Sequence, residues 1–513
     1  MSRKRRLSPT DDRDRQLRAQ SRSNSGADDQ KIRNDGAPDI GDATVGGGSS
    51  HYQYQLLACG CNMHGQLAHD RDRDIVPDAS WLSDDTDGSA SKLATLASAA
   101  REPSLFATVD TPTVIVTAGE SMRLLYVGVN TICVERDGQL YLRGLLPTLT
   151  PLNHGRHREL PIALPSNIRT SNIKLAFGTR WAFIGVILND GGVLAFSLAA
   201  WSLTELPNIY EPRALVDIQI NRLGESCFLY SEPPGHKETG IGSIIKIYPP
   251  VKSISEGLYN STLESFSAGD VDPVSVFRLP IGECGADPGE RFTKVTATST
   301  GFIALTSAGN VYTYGDGRFN SLGRPPSATV SPDTPGGLSN GCGWGQVTAL
   351  DGVFITQIAA NPGGHVQLAL AQDGTGYIWG GDGTENINVP VHADAQEVED
   401  EDVQMIDILD ARTGEPLEFE NMAVGEDHAV MIETGGRGVW VSGGSDMGQT
   451  GFGVEFRCLP TALGIDEEAK RERSIWRRWD DRILRDCGSN TQVVQAACGF
   501  GCTLMVVRHL RAQ

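Results

Sequence analysis

The 513-residue chain contains no run of eighteen or more apolar residues, so no segment reads as a membrane-spanning helix. Its first residues, Met1-Ser2-Arg3-Lys4-Arg5-Arg6, lead into polar sequence with no apolar stretch, which argues against a secretory signal. Positive charge is in deficit: 44 Lys and Arg stand against 64 Asp and Glu, a net charge of −20. Proteins that track phosphates over a wide surface concentrate positive charge, so nucleic acid is an unfavoured partner. The sequence has no Walker loop, HExxH helix or GxSxG elbow. Gly341-Cys342-Gly343 lacks the strand-to-helix context of a phosphate cradle, and the His residues are few and scattered. These absences leave no intrinsic catalytic constellation, no cofactor site and no metal site, and they predict a chain that is not an enzyme. Ten cysteines in a chain read as non-secreted are expected to be reduced thiols, which points to the cytoplasm, the nucleus or both.

What is abundant is glycine, at 59 residues, without a collagen period, as in an all-β chain with many tight turns. Seven short segments set an apolar-x-apolar strand against a glycine or a tight turn. They are Leu56–Gly60, Leu140–Gly144, Val193–Ser197, Ile244–Tyr248, Val311–Gly315, Tyr377–Gly381 and Val439–Gly443. Most follow a turn signal such as Asp137-Gly138, Asp190-Gly191-Gly192, Asp373-Gly374 or Gly435-Gly436. Strand, glycine turn and strand recurring at roughly fifty to seventy residues predict a repeat protein built of β-blades. The two ends complement each other. Val493–Val507 is the first half of a unit without a second, and Tyr54–Ala68 is a second half without a first. N-terminal strands that complete the last blade would close the ring and remove its edge strands, giving seven blades.

These residues resemble the repeat of the RCC1 (regulator of chromosome condensation) family, which reads roughly Gly-x-x-His-Thr-x-Ala-Leu, Asp-Gly-x-Val-Tyr-x-Trp-Gly, then Gly-Gln-Leu-Gly. His428-Ala429-Val430, His365 and Gln449 keep pieces of it, Tyr377-Ile378-Trp379-Gly380 and His64-Gly65-Gln66-Leu67 match closely, and Cys502 stands where His is usual. The resemblance spans residues 52 to 509, and at 115–150, 173–198 and 215–250 it is one of turn and strand rhythm alone. It implies an all-β, seven-bladed RCC1-like propeller over 52–513. The family scaffold carries guanine-nucleotide exchange, ubiquitin ligation and adaptor roles. A lone propeller of this kind resembles the fungal alpha-tubulin suppressor type. That implies a non-catalytic adaptor acting with a small zinc-binding protein in diphthamide synthesis and Elongator-dependent tRNA wobble modification. The alternative is nucleotide exchange on a Ran-like small GTPase, which works by differential binding and needs no catalytic triad.

Residues 1–51 lack aromatics up to His51 and alternate Arg with Asp, so they are expected to form a disordered tail. Within it, Arg3, Lys4, Arg5 and Arg6 read either as a nuclear import signal or as a solvated basic tail. Long non-repeat stretches fall at 69–113, 251–290, 324–353, 382–420 and 454–492, and their placement between units would gather them on one rim. The 382–420 stretch holds thirteen acidic residues and one basic residue. Its densest part, Glu397, Glu399, Asp400, Glu401 and Asp402, is a candidate for steering a basic partner or for solubility. Residues 466–486 are the one helix expected, with Ile475, Trp476, Trp479, Ile483 and Leu484 near one face. Trp476 and Trp479 are thus candidates for contacting a partner or for packing on the propeller. Cys59, Cys61, Cys498 and Cys502 fall in one blade, where packed free thiols are favoured over a zinc site because no paired knuckle spacing presents them.

Overall fold

A computed structural model describes residues 52–61, 67, 108–129, 131–144, 159–197, 201–205, 214–231, 242–250, 273–279, 289–317, 320–325, 341–381, 403–410, 412–444, 449–452, 476–479, 484 and 490–510. The tail at 1–51, with Arg3 to Arg6, and the acidic run Glu397 to Asp402 lie outside the described residues.

The strands form seven four-stranded antiparallel sheets. In each blade the strands, a to d from the axis outward, follow one another along the chain; blade 4 runs a Phe292–Ala297, b Gly301–Thr306, c Val311–Asp316, d Gly341–Gln346. Blade 7 is the exception. Its a and b strands are Thr491–Cys498 and Cys502–Leu510, and its c and d strands are Tyr52–Cys61 and Thr108–Ala118. Tyr52 to Gly60 pair in continuous register with Leu510 to Cys502, and the a strand of blade 7 packs against that of blade 1, Met122–Val127. The ring therefore closes through chain-distant strands, as the split repeat implied.

The apolar-x-apolar-Gly signature has a steric basis. Gly60 and Gly315 end c strands at positive φ (112° and 126°), where L side chains are strained. A Cβ on Gly60 would come within 2.2 Å of the Gly501 carbonyl, and one on Gly315 within 2.4 Å of the Thr300 carbonyl. Each glycine lets its c strand pass directly under the a–b turn of its own blade.

The core is not one centre. Among the described residues it forms seven apolar clusters, one at each blade junction. Alternation along the strands serves two junctions at once. In the N-terminal strand Leu57 and Cys59 face blade 6, while Leu56 and Ala58 face blade 1.

Polar side chains tie the blades together near the axis. Every a–b pair contains at least one register break, so each a strand carries a bulge that leaves a residue out of the ladder. Side chains at or beside these bulges reach the next blade's backbone at six of the seven junctions. Arg123 donates to Thr170 O (2.8 Å), Lys174 Nζ to Val216 O (3.0 Å), Lys294 Nζ to Ile358 O (3.0 Å) and Gln357 Nε2 to Glu420 O (2.8 Å). The Asp217 carboxylate accepts from Val295 N (3.2 Å), and the Gln495 amide bonds both N (2.9 Å) and O (2.6 Å) of Leu124. Val216 and Glu420 are themselves the bulged residues, so the neighbouring blade supplies what the ladder withholds.

The structure revises two readings of the sequence. Each long stretch encloses part or all of its blade's outermost strand: Thr108–Ala118, Ser275–Phe277, Gly341–Gln346, Val403–Ile406 and Arg477–Arg478. The connections before these strands run from c to d, inside a blade, and leave from the same end as the a–b turns. The helix expected over 466–486 is interrupted by strand Arg477–Arg478, which pairs with Val441 and Trp440. A spacing of three puts residues on one side of a helix but on opposite sides of a strand. Trp476 accordingly packs at the blade 5–6 junction and Trp479 at the blade 6–7 junction.

Leu56→Ala and Leu57→Ala should each lower unfolding free energy by about 2–5 kcal/mol in urea titrations, because each opens a cavity at a closing junction. Gln495→Ala should cost about 1–3 kcal/mol by leaving both backbone groups of Leu124 without their partner.

Candidate functional site

The a–b turns of all seven blades converge at one mouth of the central channel. Beneath them lies a cavity of about 340 Å³, lined by residues of every blade, including Lys294, Gln219, Asn361, Glu426, Gln495 and Cys498. Arg180, in the a–b turn of blade 2, forms a two-pronged ion pair with Glu426 in the a–b turn of blade 6. These blades are not neighbours, so the pair crosses the mouth. Both side chains are largely buried, at 13% and 11% exposure. Burial pushes the Glu426 carboxyl above its ordinary value, and hydrogen bonding and charge from Arg180 offset this only in part. Removing one member of such a buried pair costs about 3–5 kcal/mol, so the bar is a rigid feature of the face.

Around the bar lies an aromatic and basic platform. The Arg180 guanidinium stacks 4.9 Å from the Trp181 ring centroid and 5.4 Å from that of Phe500, in the a–b turn of blade 7. Trp181 is 52% exposed, and Leu223 in the adjoining turn of blade 3 is 43% exposed. Arg222, between them in sequence, is exposed and close enough to act on the Glu426 carboxyl. Exposed Trp and Arg on a preorganised frame are the residue types that dominate binding energy at protein interfaces. These positions sit in blades 2 and 3, where the sequence follows the repeat in rhythm alone, and no motif marks them. Their one legible signal is a tryptophan inside a turn.

The sequence candidates fall elsewhere. Trp479 is 3% exposed and donates its indole N–H to Thr450 O (2.8 Å), which places it in the core. Trp476 is half-buried against the blade 5–6 cluster. The repeat residues His428 and Gln449 converge on Asp427: His428 Nδ1 lies 3.0 Å from Asp427 Oδ1, and Gln449 Nε2 donates to Asp427 Oδ2 at 2.6 Å. The imidazole thus bonds the side chain of the residue that precedes it. His428 is fully buried and borders the Cys498 thiol of the next blade. Burial opposes charge on the imidazole, but the Cys498 sulfur and the Asp427 carboxylate outweigh it and raise its pKa to about 10. Cys59, Cys61, Cys133, Cys227, Cys498 and Cys502 are buried. Among the described residues no three His, Cys, Asp or Glu side chains are grouped to hold a metal ion.

The fold and this mouth define a closed seven-bladed propeller with one rigid, loop-bearing face. No protein-family model matches the sequence, and no curated protein matches it closely enough to count as a relative. Among solved structures, the chain is similar to Prp20p of Saccharomyces cerevisiae, studied with its binding to Gsp1p and histones. The TM-score is 0.50 at 14% identity, over 88% of this chain and 91% of that one. Yeast RCC1 (Prp20) bound to Kap60 gives 0.49 at 13% identity, over 90% of each chain. Human WBSCR16 gives 0.38 at 13% identity, over 88% of this chain and 98% of that one. At such identities the likeness is one of architecture, and the architecture is that of an RCC1-like propeller.

Because the His428 pKa is raised from 6.5 to about 10, its contribution to stability is complete below the lower value and lost as pH rises through the upper one. Urea midpoints should therefore fall between these pH values in the native chain, and His428→Gln should flatten that fall.

Proposed function

We propose that this chain is a protein-interaction adaptor that engages its partner through the a–b turn face of the propeller. The observation that carries the reading is the platform of Trp181, Arg222 and Leu223 held rigid around the Arg180–Glu426 bar. The c strands end at the same end of the blades as these turns. The partner class drawn from the sequence resemblance is a small zinc-binding protein of diphthamide synthesis and Elongator-dependent tRNA modification.

A second reading, nucleotide exchange on a small GTPase, is favoured by one specific finding: the fold likeness to Prp20p, whose binding to Gsp1p is described. Exchange requires tighter binding to the nucleotide-free GTPase than to its loaded form, which a rigid face supplies without a catalytic side chain. The Arg3–Arg6 cluster would then serve nuclear import.

The test uses the purified full chain with each partner class. Under the adaptor reading, a small zinc protein of that pathway binds directly, and Trp181→Ala with Arg222→Glu weakens binding by about 30-fold or more, the scale of an interface hot spot. Accelerated release of a fluorescent guanine nucleotide from a Ran-type GTPase at substoichiometric propeller selects the second reading. Binding of either partner that is indifferent to both substitutions removes this face from the proposal.

A further inference from the structure

The channel cavity of about 340 Å³ carries one charge that nothing beside it cancels. The charged residues of its lining are Arg180, Glu426 and Lys294. Arg180 and Glu426 neutralise each other in the bar across the mouth. Lys294 forms no ion pair among the described residues, and its side chain is accessible to solvent yet enclosed by protein, which places its accessible surface in the lumen. Asp217 is close enough to act on Lys294, but its carboxylate takes its hydrogen bonds from Gln219 Nε2 (3.0 Å) and Val295 N (3.2 Å) and acts on Lys174 as well. Burial lowers the pKa of the Lys294 ammonium, and the Asp217 charge offsets this only in part. The charge is therefore held at a cost that a bound anion would remove.

Hydrogen-bond donors are also in surplus there. An ammonium has three N–H bonds, and Lys294 directs one of them to Ile358 O at 3.0 Å. Gln219 on blade 3 and Asn361 on blade 5 line the cavity on the blades to either side of Lys294. Each uses one amide N–H on the wall: Gln219 on Asp217 Oδ1, and Asn361 on Cys498 O at 3.4 Å. Two N–H bonds of Lys294 and one from each amide remain, and a carboxylate offers about four acceptor sites. Beside these donors the lining is apolar, with Val127, Phe177 and Ile220.

We propose that the channel cavity is a binding site for a small organic monocarboxylate, whose oxygens accept from Lys294, Gln219 and Asn361 and whose apolar body lies against Val127, Phe177 and Ile220. A single negative charge matches the single uncancelled cation, whereas a doubly charged phosphate ester would leave a buried surplus. The bar across the mouth favours a small solute over a peptide chain. The proposal holds whichever partner the a–b turn face engages.

The test methylates the amines of the native full chain with formaldehyde and a borohydride reductant, and reads each lysine by peptide mass spectrometry. It is run alone and with benzoate, benzamide or inorganic phosphate at matched ionic strength. Lys294 should be methylated in the free chain. Benzoate should protect it at a concentration at least about tenfold below that required of benzamide, the margin of charge-assisted hydrogen bonding. Lys246, on the c strand of blade 3, should be indifferent to all three. Lys294→Gln, which keeps a donor for the Ile358 carbonyl, should weaken benzoate binding in calorimetry by at least about tenfold with melting still cooperative. Lys294 that resists methylation in the free chain, or is methylated equally fast with benzoate, overturns the proposal without any variant. Equal protection by benzoate and benzamide removes the anionic character of the site, and protection by phosphate with none by benzoate removes the carboxylate. Benzoate binding that Lys294→Gln leaves unchanged places the ligand elsewhere and also overturns the proposal.

Discussion

A ring of blades has no end piece, so every wedge must be sealed on both sides. In this protein sealing takes two forms, one at each radius. Further out, apolar side chains from facing sheets fill each junction, as Leu57, Val430 and Met505 do between blades 6 and 7. Near the axis, where the strands crowd and an apolar filling would leave bulged backbone unpaired, Arg123, Lys174, Asp217, Lys294, Gln357 and Gln495 reach across instead. A bulge is a defect within its own sheet but a socket for the next one. The regular recurrence of bulges on the innermost strands is therefore part of how the ring is keyed, and the a–b turns at the mouth are positioned by it.

Legibility followed the chemistry of each strand. The c strands were visible because Gly60, Gly315 and their equivalents must pass beneath a turn where a Cβ cannot fit, and that leaves a residue-level mark. The split between Tyr54–Ala68 and Val493–Val507 revealed closure for the same reason: halves of one pattern stood at opposite ends. The d strands left almost none. Ser275–Phe277 and Arg477–Arg478 are short, sit at the rim and pair along one edge, so neither length nor alternation announced them. Trp476 and Trp479 misled because a spacing of three fits one side of a helix as readily as two sides of a strand.

The candidate surface was harder to read than the fold. Arg180, Trp181, Arg222 and Leu223 lie where the repeat survives as rhythm, and nothing in their local sequence tells a binding residue from a turn residue. Their significance depends on Glu426, from a distant unit, and on the geometry that brings blades 2 and 6 to one mouth. The bonds of Asp427 show the converse: His428 and Gln449, both residues of the repeat, meet on a carboxylate that no motif marks.

The pairing of Tyr52–Cys61 with Cys502–Leu510 also has a consequence in time. The N-terminal strand emerges from the ribosome roughly 450 residues before its partner. At about 5–20 residues per second its Leu56-Leu57-Ala58-Cys59 segment waits for about 20–90 s with the d strand Thr108–Ala118 to pair along one edge and nothing along the other. During translation the growing chain is an open arc with one apolar edge, and that edge is a natural client for a chaperone. Nascent-chain crosslinking would find it held until the final strand is released.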